Sequence, residues 1–150
     1  MIPKLNYKKI LIPIDGSKGS INAVNYSIRF ASVFEDCSLL LLHVIDEDKI
    51  NHLVLYQNEN SEKLKQTYYE QGEKYCNRAI QDAINLGFNE NNIDFKIVFG
   101  EPVDEILKLA PLHDLIVMPV RGKQRSPSYI TGHITERIIN LSPIPVLVVS

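Results

Sequence analysis

The chain has 150 residues and a mass of 17.1 kDa, which at ~100–200 residues per domain leaves room for one domain, residues 1–150, and no second. With 45% apolar and 23% charged residues, it has the proportions of a globular protein able to bury a core without metal or disulfide staples. Sixteen basic against 18 acidic side chains give a net charge of −2, which argues against the broad basic face of a dedicated nucleic-acid binder.

The first element is the apolar run Lys9 to Ile14, ended by Asp15-Gly16-Ser17. Near-continuous hydrophobicity without alternation is the mark of a parallel strand covered on both faces. Ile21, Val24, Ile28 and Ala31 then recur at helical spacing, with Ser17 placed to cap that helix. Ser38 to Ile45 reads as a second buried strand. Leu64, Tyr68, Tyr75, Cys76, Ala79, Ile80 and Ala83 mark one face of a long second helix, which Gly87 closes. Ile93 to Phe99 is the third strand. Val103, Ile106, Leu107 and Ala110 belong to a short third helix, and Asp114 to Met118 form strand four. Ile134, Ile138 and Leu141 lie on a fourth helix, and Pro145 to Val149 form strand five.

Short apolar strands alternating with amphipathic helices predict a doubly wound parallel α/β sheet, because right-handed helical crossovers are how parallel strands connect. Pro143 and Pro145 put strand five at an edge. Two stretches, Asp46 to Asn60 and Val120 to Ser128, lack periodicity and are expected to be loops. Both follow strands, so both lie at the carboxyl edge of the sheet, where open α/β sheets bind ligands. The first, being long and placed over that edge, is expected to act as a mobile lid.

Few of the usual catalytic motifs survive inspection. No GxxxxGK[ST] phosphate loop, GxSxG elbow or HExxH pair exists. Gly16-x-x-Gly19 has the wrong spacing for a dinucleotide fingerprint. Strand one ends in a lone Asp15, where a phospho-acceptor domain needs paired acids. No apolar run approaches the ~20 residues of a membrane span, and the basic N-terminus lacks a cleavage site, so a cytoplasmic location is expected. Cys37 and Cys76 lack metal-ligand spacing and read as reduced thiols. One segment stands out. Between Arg121 and Arg137 lie four cations, Arg121, Lys123, Arg125 and Arg137, against the single acid Glu136. It runs from a strand end into a helix that starts at Gly132-His133-Ile134-Thr135, and the free N–H groups of a helix start favour an anion.

These residues together resemble the universal stress protein family over essentially the whole chain. The resemblance rests on Lys9 to Ser17, Leu42-His43-Val44-Ile45, Gly100-Glu101-Pro102, Asp114 to Met118, the Arg121-Gly122 loop, Gly132 to Arg137, and the terminal run Pro143 to Val149. Pattern and resemblance agree on a Rossmann-like, doubly wound five-stranded parallel sheet, order 3-2-1-4-5, with helices on both faces. Nucleotide-binding members carry a G-x2-G-x9-G-[ST] pattern, which falls here on Pro119, Gly122, Gly132 and His133. The two later glycines match. Pro119 replaces the first glycine, adding a ring and removing a donor, and His133 replaces the hydroxyl residue.

The resemblance implies a cytosolic stress-response sensor or regulator that binds an adenine nucleotide, ATP with magnesium or manganese. An enzyme, a slow ATPase or a nucleotidyl transferase, is a third reading that no nucleophile and base pair at credible spacing supports, so the chain is expected not to be an enzyme. It implies that Pro13, Ile14 and Asp15 meet the adenine or its ribose and that Val44 and Met118 line the base. Gly122, Lys123, Arg125, Gly132, His133, Ile134 and Thr135 would form the phosphate side. The alternative is a member without nucleotide binding that works through dimerisation and partner contacts. Outside the resemblance, Asp15 reads equally as a helix N-terminal acid, and Val44 and Met118 as core. His43 is expected to be a satisfied core histidine, and His52 and His113 to be exposed. Strand five, with no charge among Val146, Leu147, Val148 and Val149, leaves an unprotected edge that predicts a homodimer, as is common in members of that family.

Overall fold

The five apolar runs become the strands of one sheet in the computed structural model, which describes residues 1–120 and 132–150. The strands are β1 (Lys9–Pro13), β2 (Ser38–Asp46), β3 (Ile93–Gly100), β4 (Leu115–Pro119) and β5 (Val146–Val149). All pairings are parallel, in the expected order β3-β2-β1-β4-β5. The helices are α1 (Lys18–Ala31), α2 (Glu47–Gln57), α3 (Ser61–Asn85), α4 (Pro102–Leu109) and α5 (Gly132–Leu141).

Successive strand residues point to opposite faces, and this sorts the core into two layers. Ile10, Ile12, Leu39, Leu41 and Val117 pack against Val24 and Ile28 of α1 and Cys76 and Ala83 of α3. Leu11, Leu42, Ile116 and Met118 pack on the other side against Val103 and Ile106 of α4 and Ile138 of α5. Each fully buried Ile or Leu contributes roughly 1.5–3 kcal/mol, so a strand such as Ile10-Leu11-Ile12, buried to the last atom, has no alternative register that keeps both layers.

Local signals set the ends of the elements. Ser17 caps α1 as expected, its Oγ accepting the Ser20 N–H at 3.1 Å. Gly87 ends α3 in a left-handed conformation, φ +92°. Its N–H donates to the Ile84 carbonyl at 2.9 Å and that of Phe88 to Ala83 at 3.0 Å, the two bonds of a Schellman closure. Asp114 stands just before β4 rather than in it. Its Oδ2 accepts the N–H groups of Lys8 and Lys9, at 2.9 and 3.0 Å, and so fastens the start of β1.

The structure corrects the reading of Asp46 to Asn60 as an irregular loop. Glu47–Gln57 is helical, and the Asp46 carboxylate caps it by accepting from Asp48 and Lys49. Asn58, at φ +52°, terminates it. Only Ile50 of α2 is buried, so the helix lacks the broad apolar stripe by which the longer helices announce themselves. The case for a lid rested on a long loop, which is absent here. His113 is a second correction: it is half-buried rather than exposed, its Nδ1 bonded to the Leu109 carbonyl at 2.7 Å.

Cys37 and Cys76 are free and buried. Burial, aided by Asp114, pushes the Cys37 thiol up to about 11. Burial, aided by Glu73, pushes Cys76 up to about 12. Both are therefore packing residues and not nucleophiles. No helix among the described residues is long and apolar enough to cross a membrane.

Two glycines separate backbone strain from steric strain. A Cβ at Gly87 would meet nothing within 4 Å, so Gly87→Ala should cost only its left-handed backbone, ~1 kcal/mol. Gly16 also has positive φ, +78°, and a Cβ there would lie 2.5 Å from the Tyr75 ring. Gly16→Ala should therefore cost at least ~2 kcal/mol. Urea midpoints of the two variants at unchanged m-value measure the difference.

Candidate functional site at the carboxyl edge between the first and fourth strands

In the order 3-2-1-4-5 the chain reverses direction across the sheet between β1 and β4, the point at which open α/β sheets bind ligands. The ladder there is short. β1 pairs with β2 through five residues, Lys9 to Pro13, but with β4 only through Ile10↔Leu115 and Leu11↔Ile116.

Two prolines account for the early end of this ladder. Along a strand, successive N–H groups point to alternate neighbours. The Ile14 N–H donates to Leu42 of β2 at 2.8 Å, so the adjacent Pro13 nitrogen faces β4 and has no hydrogen to give. The Val120 N–H donates to Val149 of β5 at 3.1 Å, so the Pro119 nitrogen faces β1, again without a hydrogen. Neither strand can extend the seam toward its carboxyl end.

What surrounds the seam is set by the strand ends. Asp15 follows β1 and is 3% exposed. Its Oδ1 accepts the Ser17 N–H at 2.9 Å, which makes it part of the α1 start, as the reading independent of family expects. Ile14 is held twice by β2, through its N–H on Leu42 and through its carbonyl. His43 Nδ1 lies 2.9 Å from that carbonyl. A carbonyl can only accept, so the imidazole carries its proton on Nδ1. His43 is thus the satisfied core histidine expected from the sequence.

Val44 is half-buried, and with Ile134 it packs on the α4/α5 layer beside Met118. Met118 is fully buried and backs the crevice from inside the core. Ile14 belongs to the opposite layer, so the candidate base-contacting residues approach from both faces of the sheet. Pro13 is buried, paired in register with Leu42.

The start of α5 supplies the other wall. Gly132 begins the helix and His133 is exposed. Thr135, 3% exposed, donates its hydroxyl hydrogen to the Pro119 carbonyl at 2.9 Å. The hydroxyl offered to a ligand by the sequence reading is therefore anchored to the end of β4 and retains only its acceptor capacity. Arg137, counted with the cations of this segment, lies 3.5 Å from Glu101 Oε1, while Glu101 Oε2 caps α4 through the Asp104 N–H at 2.8 Å. Both side chains are partly exposed, so the ion pair is worth ~0.2–1 kcal/mol. It nonetheless ties α5 to the carboxyl end of β3. Gly122, Lys123 and Arg125 lie outside the described residues.

The sequence reading missed three of these contacts: His43 to Ile14, Thr135 to Pro119 and Arg137 to Glu101. Only the last had a signal, the helix-capping Glu101 ahead of Pro102. Among the described residues no group of three or more His, Cys, Asp or Glu side chains could hold a metal ion, and no buried side-chain polar atom lacks a hydrogen-bond partner.

A doubly wound sheet opened at its β1–β4 switch point, with a helix start beside it, defines the class as a Rossmann-like α/β protein with a carboxyl-edge crevice. Within that class, the model of the universal stress protein family matches residues 6–150, and the chain belongs to that family. It is 32% identical over 146 residues to universal stress protein MJ0531 of Methanocaldococcus jannaschii, covering 95% of this chain and 82% of that one. It is 31% identical to MJ0577 of the same organism, and the solved structure of MJ0577 superimposes with a TM-score of 0.77 over 97% of this chain and 96% of its own. The fold also matches UspA of Lactobacillus plantarum, with a TM-score of 0.79 at 20% identity, over 98% of this chain and all of that one. Two further fold neighbours at TM-score 0.67 were solved with adenine nucleotides. One is a universal stress protein in complex with cAMP, 20% identical over 97% of this chain and 98% of its own. The other, from Archaeoglobus fulgidus, is in complex with dAMP, 14% identical over 97% of this chain and all of its own.

The Thr135–Pro119 bond gives this wall of the crevice a measurable energy. Thr135→Val keeps the shape but leaves a buried carbonyl unpaired, and should cost ~1–3 kcal/mol. Thr135→Ser, which retains the donor, should cost less than half as much. Urea denaturation of both variants tests the assignment.

Proposed function

We propose that this chain, one domain over residues 1–150, binds an adenine nucleotide, ATP in the first instance, and acts as a cytoplasmic stress-response sensor or regulator. The observation that carries this reading is the β1–β4 seam, opened by two prolines and flanked by a buried carboxylate and a helix start. The chemistry of that donor set suits the ligand. Asp15 can accept from ribose hydroxyls or an adenine amino group. Pro13, Ile14, Val44 and Met118 give the apolar surroundings a base requires. Gly132, His133, Ile134 and Thr135 put the N-terminal N–H groups of α5 on the phosphate side, with Gly122, Lys123 and Arg125 supplying the remaining backbone and charge. A magnesium or manganese ion would arrive with the phosphates. Membership of the family, and fold neighbours solved with cAMP and dAMP, support the ligand class.

The role assigned is binding and not catalysis, since no nucleophile and base pair is evident among the described residues. A second reading has its own observation. Pro119 stands where the family pattern has glycine, and Thr135 is already engaged, which favours a member that works through dimerisation and partner contacts without nucleotide.

ATP at a hundredfold excess over its dissociation constant should stabilise the protein by ~2.7 kcal/mol, a rise of roughly 5–10 °C in Tm at this length. Gly132→Val should abolish that rise by filling the space beside the phosphates while leaving the apo Tm within about 3 °C of wild type. No shift at millimolar ATP would favour the second reading, and an identical shift in the variant would remove the site from α5.

Assembly is proposed to run through β5. Val146, Leu147 and Val149 are half-buried and Val148 is 37% exposed, so the strand presents an uncharged edge to a second copy across a two-fold axis. Light scattering at micromolar concentration should give twice 17.1 kDa. Val148→Lys, which sets like charges near the axis, should raise the dimer dissociation constant at least ~10-fold.

A further inference from the structure

On the face opposite α4 and α5, helices α1 and α3 leave a groove of about 100 Å³ between them. Its walls are Ile21 and Val24 of α1 and Tyr75 and Ala79 of α3, and one end closes on Ile14 and Gly16. The opening has a local cause. Ala79 offers a single methyl where a larger side chain would reach α1, and Ile21 opposite is left 39% exposed. Interiors are otherwise close-packed, so the atoms lining such a gap forgo dispersion contacts that an occupant would restore.

The aromatic wall is already in place. The Tyr75 ring lies against Gly16, so closely that a Cβ there would stand 2.5 Å from it. It also meets the His43 ring in a T-shaped contact, with centroids 5.7 Å apart and planes at 71°. Tyr75 therefore needs no ordering to receive a ligand, which removes one of the main costs of binding. At the mouth, Arg78 and Asp82 lie one turn apart on α3, and Asn25 faces them from α1. The groove thus combines an apolar floor, an aromatic side and polar groups of both signs at its rim, the composition of a small-molecule site.

We propose that this groove is a second ligand site, which meets the nucleotide crevice only at Ile14, and that it takes a single-ring aromatic molecule with one polar substituent, of the phenol class. Size selects the class. An enclosed apolar cavity of ~150 Å³ accommodates benzene, and a groove of about 100 Å³ open at one side accepts the same ring with its substituent at the rim. Offset or edge-on stacking against Tyr75 orients the ring, and Asn25, Arg78 or Asp82 meets the substituent.

Phenol titrated into the full-length protein, followed by amide NMR shifts, tests the site. Saturable shifts at Ile21, Val24, Tyr75 and Ala79 are expected, unchanged by added ATP. Ala79→Leu, which fills the groove, and Ile21→Trp, which covers its mouth from a partly exposed position, should each weaken phenol at least tenfold while leaving any ATP response intact. Should Ala79→Leu fail to fold, Ile21→Trp decides. Shifts that rise linearly with phenol, scatter beyond the groove or survive Ile21→Trp would overturn the proposal. Phenol binding without an ATP response would leave this site standing and the nucleotide reading fallen, and the reverse result would do the opposite.

Discussion

Everything at the carboxyl edge depends on a hydrogen-bond ladder that stops early. A parallel sheet gains its order from evenly spaced N–H to carbonyl bonds, and the two central strands should be the most tightly bound. Here β1 and β4 share only two register pairs, because Pro13 and Pro119 turn donor-less nitrogens toward each other across the seam. Where the ladder stops, other groups fix the strand ends. The Pro119 carbonyl takes its hydrogen bond from Thr135 of α5, and on the β2 side the Ile14 carbonyl beyond Pro13 is bonded by His43. The seam is thus opened by what proline lacks, and side chains from the neighbouring elements hold the strand ends that flank it. Pro119, which departs from the family's glycine pattern, is from this standpoint a determinant of the crevice as well as an obstacle in it.

The two faces of the sheet meet at the same turn. Ile14 packs into the layer under α1 and α3, while Val44 and Met118 pack into the layer under α4 and α5. On the first face, α3 approaches the strand ends through two glycines. A Cβ at Gly72 would stand 2.5 Å from the His43 ring, and one at Gly16 an equal distance from Tyr75. The absence of two side chains therefore lets one histidine and one tyrosine fill the space between α3 and the ends of β1 and β2. The His43 that holds Ile14 is itself held against α3, so the position of the crevice's β1 wall is set from a helix on the other side of the sheet.

Most of this architecture was legible because strands buried on both faces are apolar without interruption, and the helices between them carry caps and periodic stripes. Ser17 and Gly87 stood out by residue type alone. α2 was not legible, since a helix that buries only Ile50 has little hydrophobic periodicity to show, and its cap Asp46 resembled one more loop acid. The contacts that shape the crevice were hidden for a different reason. Thr135 to Pro119 and His43 to Ile14 join residues 16 and 29 positions apart, and no local pattern encodes such a pairing. The prolines themselves were visible, but the direction of their nitrogens follows from register, which only the folded sheet supplies. His113 was misjudged because an isolated histidine gives no sign that a carbonyl four residues back will take it.

The two free edges of the sheet are built on opposite principles. β3 carries Asp94 and Lys96, both exposed, and charges of this kind on an edge strand penalise the approach of a second strand. β5 carries none, and its exposed Val148 leaves an apolar residue at the rim. Pro145 and the Ser142–Ile144 hydrogen bonds that precede the strand confine any added pairing to four residues, Val146–Val149. A short, uncharged edge on one side and a longer, charged edge on the other permit closure of two copies about β5. They oppose the head-to-tail stacking of β3 on β5 that would otherwise propagate into a filament. This asymmetry in edge chemistry supports the proposed two-fold arrangement over an open one.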